Sequence, residues 1–125
     1  MGRESIAMSD DELRAFLGGV RQVVVAVLGK GGEPLGALAR CALVGDQLVF
    51  ILADSQLCAL LERDPRVCCA TDEYPTYYEI RGMTAHGRAR RVERPPALEV
   101  VDGVAYAIDL DDVVSFDFEK IQAKV

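Results

Sequence analysis

The side chains best suited to chemistry in this 125-residue sequence are four cysteines and a single histidine, His86. The cysteines are Cys41, Cys58, Cys68 and Cys69, and no two of them have the CxxC spacing of a zinc site. Cys68 and Cys69 are adjacent in a predicted strand, so their side chains point to opposite faces and a disulfide between them would be strained. We therefore predict free thiols and no metal site, with a redox role as the alternative.

His86 lies in the segment YYEIRGMTAHGRARRVE, which predicts one long strand. Alternation places several polar side chains on one face of this strand: Tyr78, Thr84, His86, Arg88 and Arg90. Such a face either binds an anionic ligand or polynucleotide, or is a solvated outer face whose charges protect a sheet edge, and the second interpretation is favoured. His86 is the first candidate for proton transfer. Nothing beside it completes a nucleophile–base pair, so the catalytic residue is unknown.

Two further groups of residues have both a functional and a structural interpretation. Three tyrosines lie at the start of the long strand: Tyr74, Tyr77 and Tyr78. They either stack on a flat ring, line an interface or pack as ordinary side chains where the strand begins. A set of carboxylates near the end, Asp109, Asp111 and Asp112, lies in a predicted turn between strands. We assign no metal to them.

Composition and charge limit the classes of function. The net charge of −6 argues against a surface that follows nucleic acid, because binding dominated by phosphate contacts needs a basic face. No apolar run approaches the roughly 18 residues of a membrane span, and the first residues lack the pattern of a signal peptide. We expect a cytoplasmic protein that binds neither nucleic acid nor membrane.

The elements that must position these residues are mostly strands. Ser9-Asp10-Asp11-Glu12 is a capping box, and the stripe Leu13, Phe16 and Leu17 predicts a short helix that ends at Gly18-Gly19. A hairpin follows, with strands at VVVAVLG and LGALARCALV joined by the turn KGGEP; a phosphate-binding loop is the minor alternative for these glycines. A third strand spans Gln47 to Leu52.

The second half of the chain begins with another helix. Asp54-Ser55 is a cap signal, leucines at i, i+3 and i+4 place the helix at about Gln56 to Arg63, and Asp64-Pro65 ends it. VCCAT, the long segment with His86, and VAYAIDLDDVVSFDF are the remaining strands. About six mostly antiparallel strands in a chain of this size curl into a small barrel. We predict a tail at residues 1–8 and one mainly β domain, a split β-barrel with two short helices, at residues 9–125.

This order of elements resembles the split-barrel flavin-binding family related to pyridoxamine 5'-phosphate oxidase. The resemblance covers roughly Ser9 to Phe118 and depends on the apolar hairpin, the LVFIL strand followed by Asp54-Ser55, the LLERDPRV helix end and the EIRG strand. It implies a homodimer that holds flavin mononucleotide (FMN), or in some branches a deazaflavin coenzyme, in the groove between the two protomers. Protein partners would then include a second copy of the chain, and a small-molecule ligand is expected.

The resemblance also implies which residues bind the cofactor. They are Arg40 on the second strand and Ser55, Gln56 and Leu57 at the start of the middle helix, where charge-assisted donors and open N–H groups suit a phosphate. Gln56 and Leu57 stand where an arginine or proline and then a lysine are usual in the family. Each missing contact to an ionised phosphate weakens binding by roughly tenfold to a hundredfold.

Two functions follow from this sequence. The first is an FMN-binding oxidoreductase of unknown substrate, with the cofactor in a dimer-interface groove. The alternative is a non-catalytic relative with a degenerate flavin site, which binds another small molecule, or a protein partner, and needs no flavin at all.

Overall fold

The computed structural model describes residues 6–73 and 79–122. Its helices are α1 (Asp10–Gly18), α2 (Ser55–Arg63) and α3 (Glu119–Gln122), and a short 3-10 helix spans Pro96–Leu98. Its strands are β1 (Gln22–Leu28), β2 (Pro34–Val44), β3 (Gln47–Leu52), β4 (Arg66–Glu73), β5 (Arg81–Arg88), β6 (Arg90–Arg91), β7 (Val104–Asp109) and β8 (Val113–Asp117).

All eight strands form one antiparallel sheet in the order β6-β7-β3-β2-β1-β4-β5-β8. The sheet curls so that β5 meets β7, and a side chain on Gly87 would lie 3.4 Å from Cβ of Ile108. This confirms the predicted mainly β, split-barrel class. The strand count is eight instead of about six because the two long segments are interrupted. Ala89 leaves the ladder to donate its N–H to the carbonyl of Pro65 at 2.8 Å, and residues 110–112 form a turn.

Helix α1 begins where the capping box predicts. The Ser9 hydroxyl accepts from the backbone N–H of Glu12 at 3.2 Å, and the Glu12 carboxylate accepts from the backbone N–H of Ser9 at 2.9 Å. The apolar stripe of the helix is buried, with Leu17 only 1% exposed. The stripe therefore anchors α1 on the inner face of the sheet, where it contributes to the core.

The concave side of the sheet holds the main core. Its central strands point alternate residues inward, and the most completely buried of these are Val25, Phe50, Leu48, Cys69, Ala85 and Ile108. Leu57 and Leu61 of α2 are buried in the same cluster. Apolar burial is the main favourable term in folding, so this inner side supplies most of the stability and leaves the outer side available for function.

The turns behave as the sequence predicts. Gly32 in the β1–β2 turn has φ of +85° and Gly45 in the β2–β3 turn has φ of +60°, a region that favours glycine. The Gly29 N–H donates to the carbonyl of Glu33 at 2.8 Å and closes the first hairpin. Among the residues described, no helix is long and apolar enough to cross a membrane.

Candidate functional site

The convex face of the sheet carries a row of outward side chains that crosses five strands and is half-buried at Ala70 and Thr84. Strand pairing sets them opposite one another in the order Leu38, Val24, Ala70, Thr84 and Val114, from β2 through β1, β4 and β5 to β8. Leu38 is 70% exposed, Val24 47% and Val114 66%. Because adjacent strands lie about 4.8 Å apart, the row is about 19 Å long. We call this part of the convex face the open half.

The other part of the convex face is covered by residues 92–103, which include the 3-10 helix. Leu98 packs there in a second buried cluster with outward side chains of β3 and β7, namely Val49, Ile51, Ala105 and Ala107. Gly103 has φ of +128°, and a Cβ on it would lie 2.4 Å from the carbonyl oxygen of Leu52. This close approach, which only glycine permits, seats the segment against the end of β3. We call this part the covered half.

Arg40 lies where the two halves meet. Pairing places it between Gln22 of β1, on the open half, and Ile51 of β3, in the covered cluster. Arg40 is exposed, and its guanidinium makes no hydrogen bond or ion pair among the described residues. The neighbouring Cys41 points inward, and burial raises the pKa of its thiol to about 11 although the Arg40 charge lowers it. Arg40 is therefore a free cation at the border of an apolar surface.

A groove of about 550 Å³ opens on the open half next to the residue paired with Arg40. Its lining includes the apolar residues Val24, Leu38, Ala70 and Phe116 and the polar residues Arg21, Gln22, Thr71, Asp72, Glu73 and Thr84. The volume is in the range of small-molecule sites. A lining that combines apolar and polar residues suits a flat ring system that carries a few hydrogen-bonding groups.

The start of α2 is filled by the protein's own carboxylate. Asp54 is the N-cap, and its Oδ1 accepts from the backbone N–H of Gln56 at 2.8 Å and from that of Leu57 at 3.2 Å. Ser55 and Gln56 are exposed, whereas Leu57 is 8% exposed and packs in the main core. The first turn, from Ser55 to Cys58, contains no basic residue. Of the four residues expected to bind a cofactor, Leu57 therefore has its side chain turned away from the surface.

Helix α2 is held to the sheet by polar contacts of Glu62 and Cys58 in addition to its leucines. The Tyr106 hydroxyl donates to Oε1 of Glu62 at 3.0 Å, and Arg91 Nη1 lies 3.5 Å from the same oxygen. Tyr106 is 2% exposed, and burial, followed by the bond to Glu62, raises the pKa of its hydroxyl. The thiol of Cys58 donates to the carbonyl of Leu52 at 3.5 Å. The Glu62 contacts hold the last turn of α2 to β6 and β7, and the Cys58 contact holds its first turn to the end of β3.

A smaller groove of about 460 Å³ separates α2 from the β1–β2 turn. Gln56 and Arg63 of the helix and Lys30 of the turn are among the residues that line it. Arg40 does not line this groove. The structure thus places Gln56 and Arg40 in different surface features, and the sequence-based grouping of these cofactor residues stays a prediction.

His86 is exposed on the convex face, paired across the strands with Cys68. Both line an apolar groove of about 320 Å³ with Arg66. Within residues 6–73 and 79–122 the imidazole makes no hydrogen bond, and burial raises the pKa of the Cys68 thiol. No described side chain activates either group, so the arrangement supplies neither a general base with an orienting partner nor a thiolate.

The remaining sequence candidates have plain structural positions. Asp111 and Asp112 lie in the turn between β7 and β8, as predicted, and Asp109 ends β7. The described residues contain no group of three or more His, Cys, Asp or Glu arranged to hold a metal. The tyrosines of the YPTYYEI segment, Tyr74, Tyr77 and Tyr78, lie outside the described residues.

Sequence reasoning missed the open half. It identified Asp54 as part of a cap signal, but it missed that the Asp54 carboxylate occupies the N–H groups assigned to a phosphate. A signal for the first existed: Val24 and Leu38 are apolar residues that alternate with buried ones, so both faces of β1 and β2 are apolar. The signal for the occupied helix start was the cap residue itself, because an aspartate at the N-cap places a negative charge as well as a hydrogen-bond acceptor beside the first N–H groups of the helix.

The sequence matches no protein-family model and no curated protein. Solved structures do match. The conserved hypothetical protein Rv2991 from Mycobacterium tuberculosis superposes with a TM-score of 0.81 at 25% identity, over 98% of this chain and 92% of that chain. A FAD-binding protein (mll6688) from Mesorhizobium loti gives a TM-score of 0.72 at 15% identity, over 89% of this chain and 94% of that one.

A candidate pyridoxamine 5'-phosphate oxidase from Corynebacterium glutamicum is also similar, with a TM-score of 0.69 at 11% identity, over 89% of this chain and 95% of that chain. The likeness spans nearly the whole length of each protein. It confirms the resemblance in fold: the chain is a split β-barrel of the type found in flavin-binding and pyridoxamine 5'-phosphate oxidase-like proteins.

Proposed function

We propose that this split-barrel protein binds a flavin against its open half and acts as a flavin-dependent oxidoreductase, with the flavin enclosed between two copies of the chain. FMN is the form that the sequence resemblance implies, and a deazaflavin coenzyme has the same flat shape. The bound flavin would supply the electron transfer. The protein's part is to hold the ring, exclude water and set the charge around it.

The observation that carries the proposal is the apolar row on the convex face with the free Arg40 at its border. Single exposed apolar side chains are common on soluble proteins, whereas neighbouring ones such as Leu38 and Val24 form patches that mark binding sites. Leu38 and Val24 lie directly opposite each other and offer a flat aliphatic surface to a fused ring system. Arg40 is two residues further along β2 and belongs to the next outward-facing pair, so its guanidinium can reach an anionic or carbonyl group at the edge of the ring.

A second copy of the chain is the proposed cover for this surface. A ring lying on one exposed sheet face keeps its other face in water, and a water-filled site weakens the electrostatic control of redox chemistry. An isologous pair places the same apolar row on both sides of a two-fold axis, which buries Leu38, Val24 and Val114 of each copy. Light scattering at micromolar concentration that shows only a monomer would remove this part of the proposal.

The start of α2 favours a second candidate function. Asp54 occupies the two N–H groups that a phosphate would use, and Leu57 is part of the core. These features are consistent with a non-catalytic relative of the flavin-binding proteins, which binds another small molecule or a protein partner on the open half. The two candidates differ in a direct observable, because only the first requires a flavin.

The experiment is a flavin titration with matched arginine variants. Protein from cells supplied with riboflavin is expected to be yellow, or to quench the fluorescence of added flavin. Arg40→Ala is expected to weaken FMN binding about tenfold to a hundredfold, since a charge-assisted bond contributes about 1.5 to 3 kcal/mol. Arg91→Ala is the control, because Arg91 lies three strands away on β6 and is exposed. Absence of quenching at high micromolar flavin favours the second candidate, and equal small effects of both variants show that Arg40 does not contact the ligand.

A further inference from the structure

We propose that Cys68 and His86 form a binding site for one soft monovalent metal ion, copper(I), on the convex face of the sheet. The Cys68 thiolate and the His86 imidazole are the two ligands, and both residues line the same groove. This inference is independent of flavin binding, because it uses neither Arg40 nor the row of side chains from Leu38 to Val114. It gives a role to two side chains that the proposed function does not use.

Strand pairing brings the two ligands together although they are 18 positions apart in the sequence. The backbone N–H of His86 donates to the carbonyl of Asp112 at 3.0 Å, so it points to the β8 side and away from β4. Cys68 and His86 are therefore a non-hydrogen-bonded pair, in which opposite side chains are closer, with Cβ atoms about 4.5 to 5.5 Å apart. Metal–sulfur and metal–nitrogen bonds in proteins are about 2.3 and 2.0 Å long, so one ion can bridge this pair.

Both side chains are available to a metal ion. His86 is exposed, and its imidazole makes no hydrogen bond within the described part of the chain. Cys68 is half-buried on the outer face, whereas Cys41 and Cys69 are buried in the main core. Burial raises the pKa of the Cys68 thiol, so the thiolate forms when the metal displaces the proton. Binding breaks the S–H bond, forms a metal–sulfur bond and releases one proton to the solvent, while a ring nitrogen of His86 donates its lone pair.

The surroundings of the pair determine the class of metal. The groove of about 320 Å³ is lined mostly by apolar residues, and none of the described residues that line it is Asp or Glu. Thiolate and imidazole ligands suit copper and zinc, whereas Mg²⁺, Ca²⁺ and Mn²⁺ prefer carboxylate and carbonyl oxygens. Structural zinc sites have four ligands, but residues 6–73 and 79–122 contain no group of three or more His, Cys, Asp or Glu arranged to hold a metal. Copper(I) is satisfied by two ligands on opposite sides of the ion.

Nearby charges also favour a monovalent ion over a divalent one. Arg66 is two residues from Cys68 on β4 and Arg88 is two residues from His86 on β5, which corresponds to about 7 Å along each strand. The Arg66 guanidinium is paired with Asp64 at 2.7 Å, whereas Arg88 makes no ion pair with a described residue. Copper(I) bound to one thiolate is neutral, but zinc bound to one thiolate keeps a positive charge that these arginines repel.

The test is a competition for copper(I) with the coloured chelator bicinchoninate, in anaerobic buffer that contains ascorbate. The absorbance of the chelator complex gives both the affinity of the protein and the number of ions bound per chain. The variants are Cys68→Ser and His86→Gln, and the control is Cys58→Ser, which removes the other half-buried thiol. Thermal melts confirm that each variant is folded, and Cys68→Ala gives the same comparison if Cys68→Ser melts early.

We expect the wild type and Cys58→Ser to bind one copper(I) ion per chain, and Cys68→Ser and His86→Gln to bind at least about a hundredfold more weakly, because each removes one of the two ligands. Wild-type affinity in Cys68→Ser or His86→Gln overturns the inference, as does a wild type that binds no copper(I) or a Cys58→Ser protein that loses it. Tighter binding of zinc(II) than of copper(I) by the wild type also overturns it. None of these outcomes depends on flavin, so the proposed function is tested separately.

Discussion

Leu57→Lys distinguishes a weakened phosphate site from a helix that has been rebuilt for packing. Leu57 is 8% exposed and lies in the main core beside Leu61. Burying a leucine contributes about 1.5 to 3 kcal/mol, and an unpaired ammonium in its place adds a desolvation cost that the flexible stem of lysine partly relieves near the helix start. We expect the free energy of unfolding to fall by about 3 kcal/mol. For a domain of this size that corresponds to a melting temperature lower by roughly 10 °C.

Gln56→Lys is the matched control, because it adds the same charge at the neighbouring, exposed position. Its stability is expected to stay within about 0.5 kcal/mol of the wild type. Urea denaturation followed by circular dichroism gives both values, and titrations with FMN and riboflavin on the same samples give the affinities. A Leu57→Lys protein that melts like the wild type and gains affinity for FMN but not riboflavin would show that Leu57 faces the ligand, contrary to the structure.

Two further predictions concern contacts away from the open half. The Lys120 ammonium donates to the Glu12 carboxylate at 2.6 Å and, with the hydrogen bonds from Ser9, lowers the pKa of Glu12 to about 2. The ionised carboxylate therefore stabilises the folded state above the ordinary pKa near 4.5, and this stabilisation is lost as the pH falls through 2. Glu12→Gln is expected to be less stable than the wild type at pH 6 and equally stable near pH 2, and a difference in unfolding free energy that stays constant across that range would contradict this. Tyr106→Phe keeps the ring against Phe50 but removes the bond to Glu62, so unfolding in urea is expected to show a loss of about 1 kcal/mol, and no loss would mean that the bond is not formed in solution.

The fold could be predicted from the sequence because its signals are local. Ser9 and Glu12 specify the start of α1, and the aspartate at position 54 with the Asp64-Pro65 pair specifies both ends of α2. The alternation of Val23, Val25 and Val27 with outward residues indicates a strand wherever it lies in the sheet. The strand count was less predictable, since Ala89 leaves the ladder through a bond to Pro65, a contact between distant segments.

The candidate site was harder to predict from the sequence because it depends on which strands become neighbours in the sheet. Leu38 and Val114 are 76 positions apart in the sequence and join one row only through the pairing of five strands. Leu57 matches a ligand position by its place in the chain, yet its register with Leu61 decides that it is buried. The side-chain direction of a residue in a first helical turn is set by packing, which a comparison of residue order does not capture.

The most direct test of the flavin-binding surface is a riboflavin fluorescence titration of the wild type, Leu38→Asp and Val100→Asp. Leu38 is 70% exposed on the open half, and Val100 is 93% exposed on the segment that forms the covered half, so neither aspartate should disturb the core. We predict that the wild type binds riboflavin, that Leu38→Asp binds at least tenfold more weakly because a charge replaces the apolar contact, and that Val100→Asp binds within twofold of the wild type. Equal affinity of Leu38→Asp and the wild type would contradict the assignment of the open half as the flavin-binding surface.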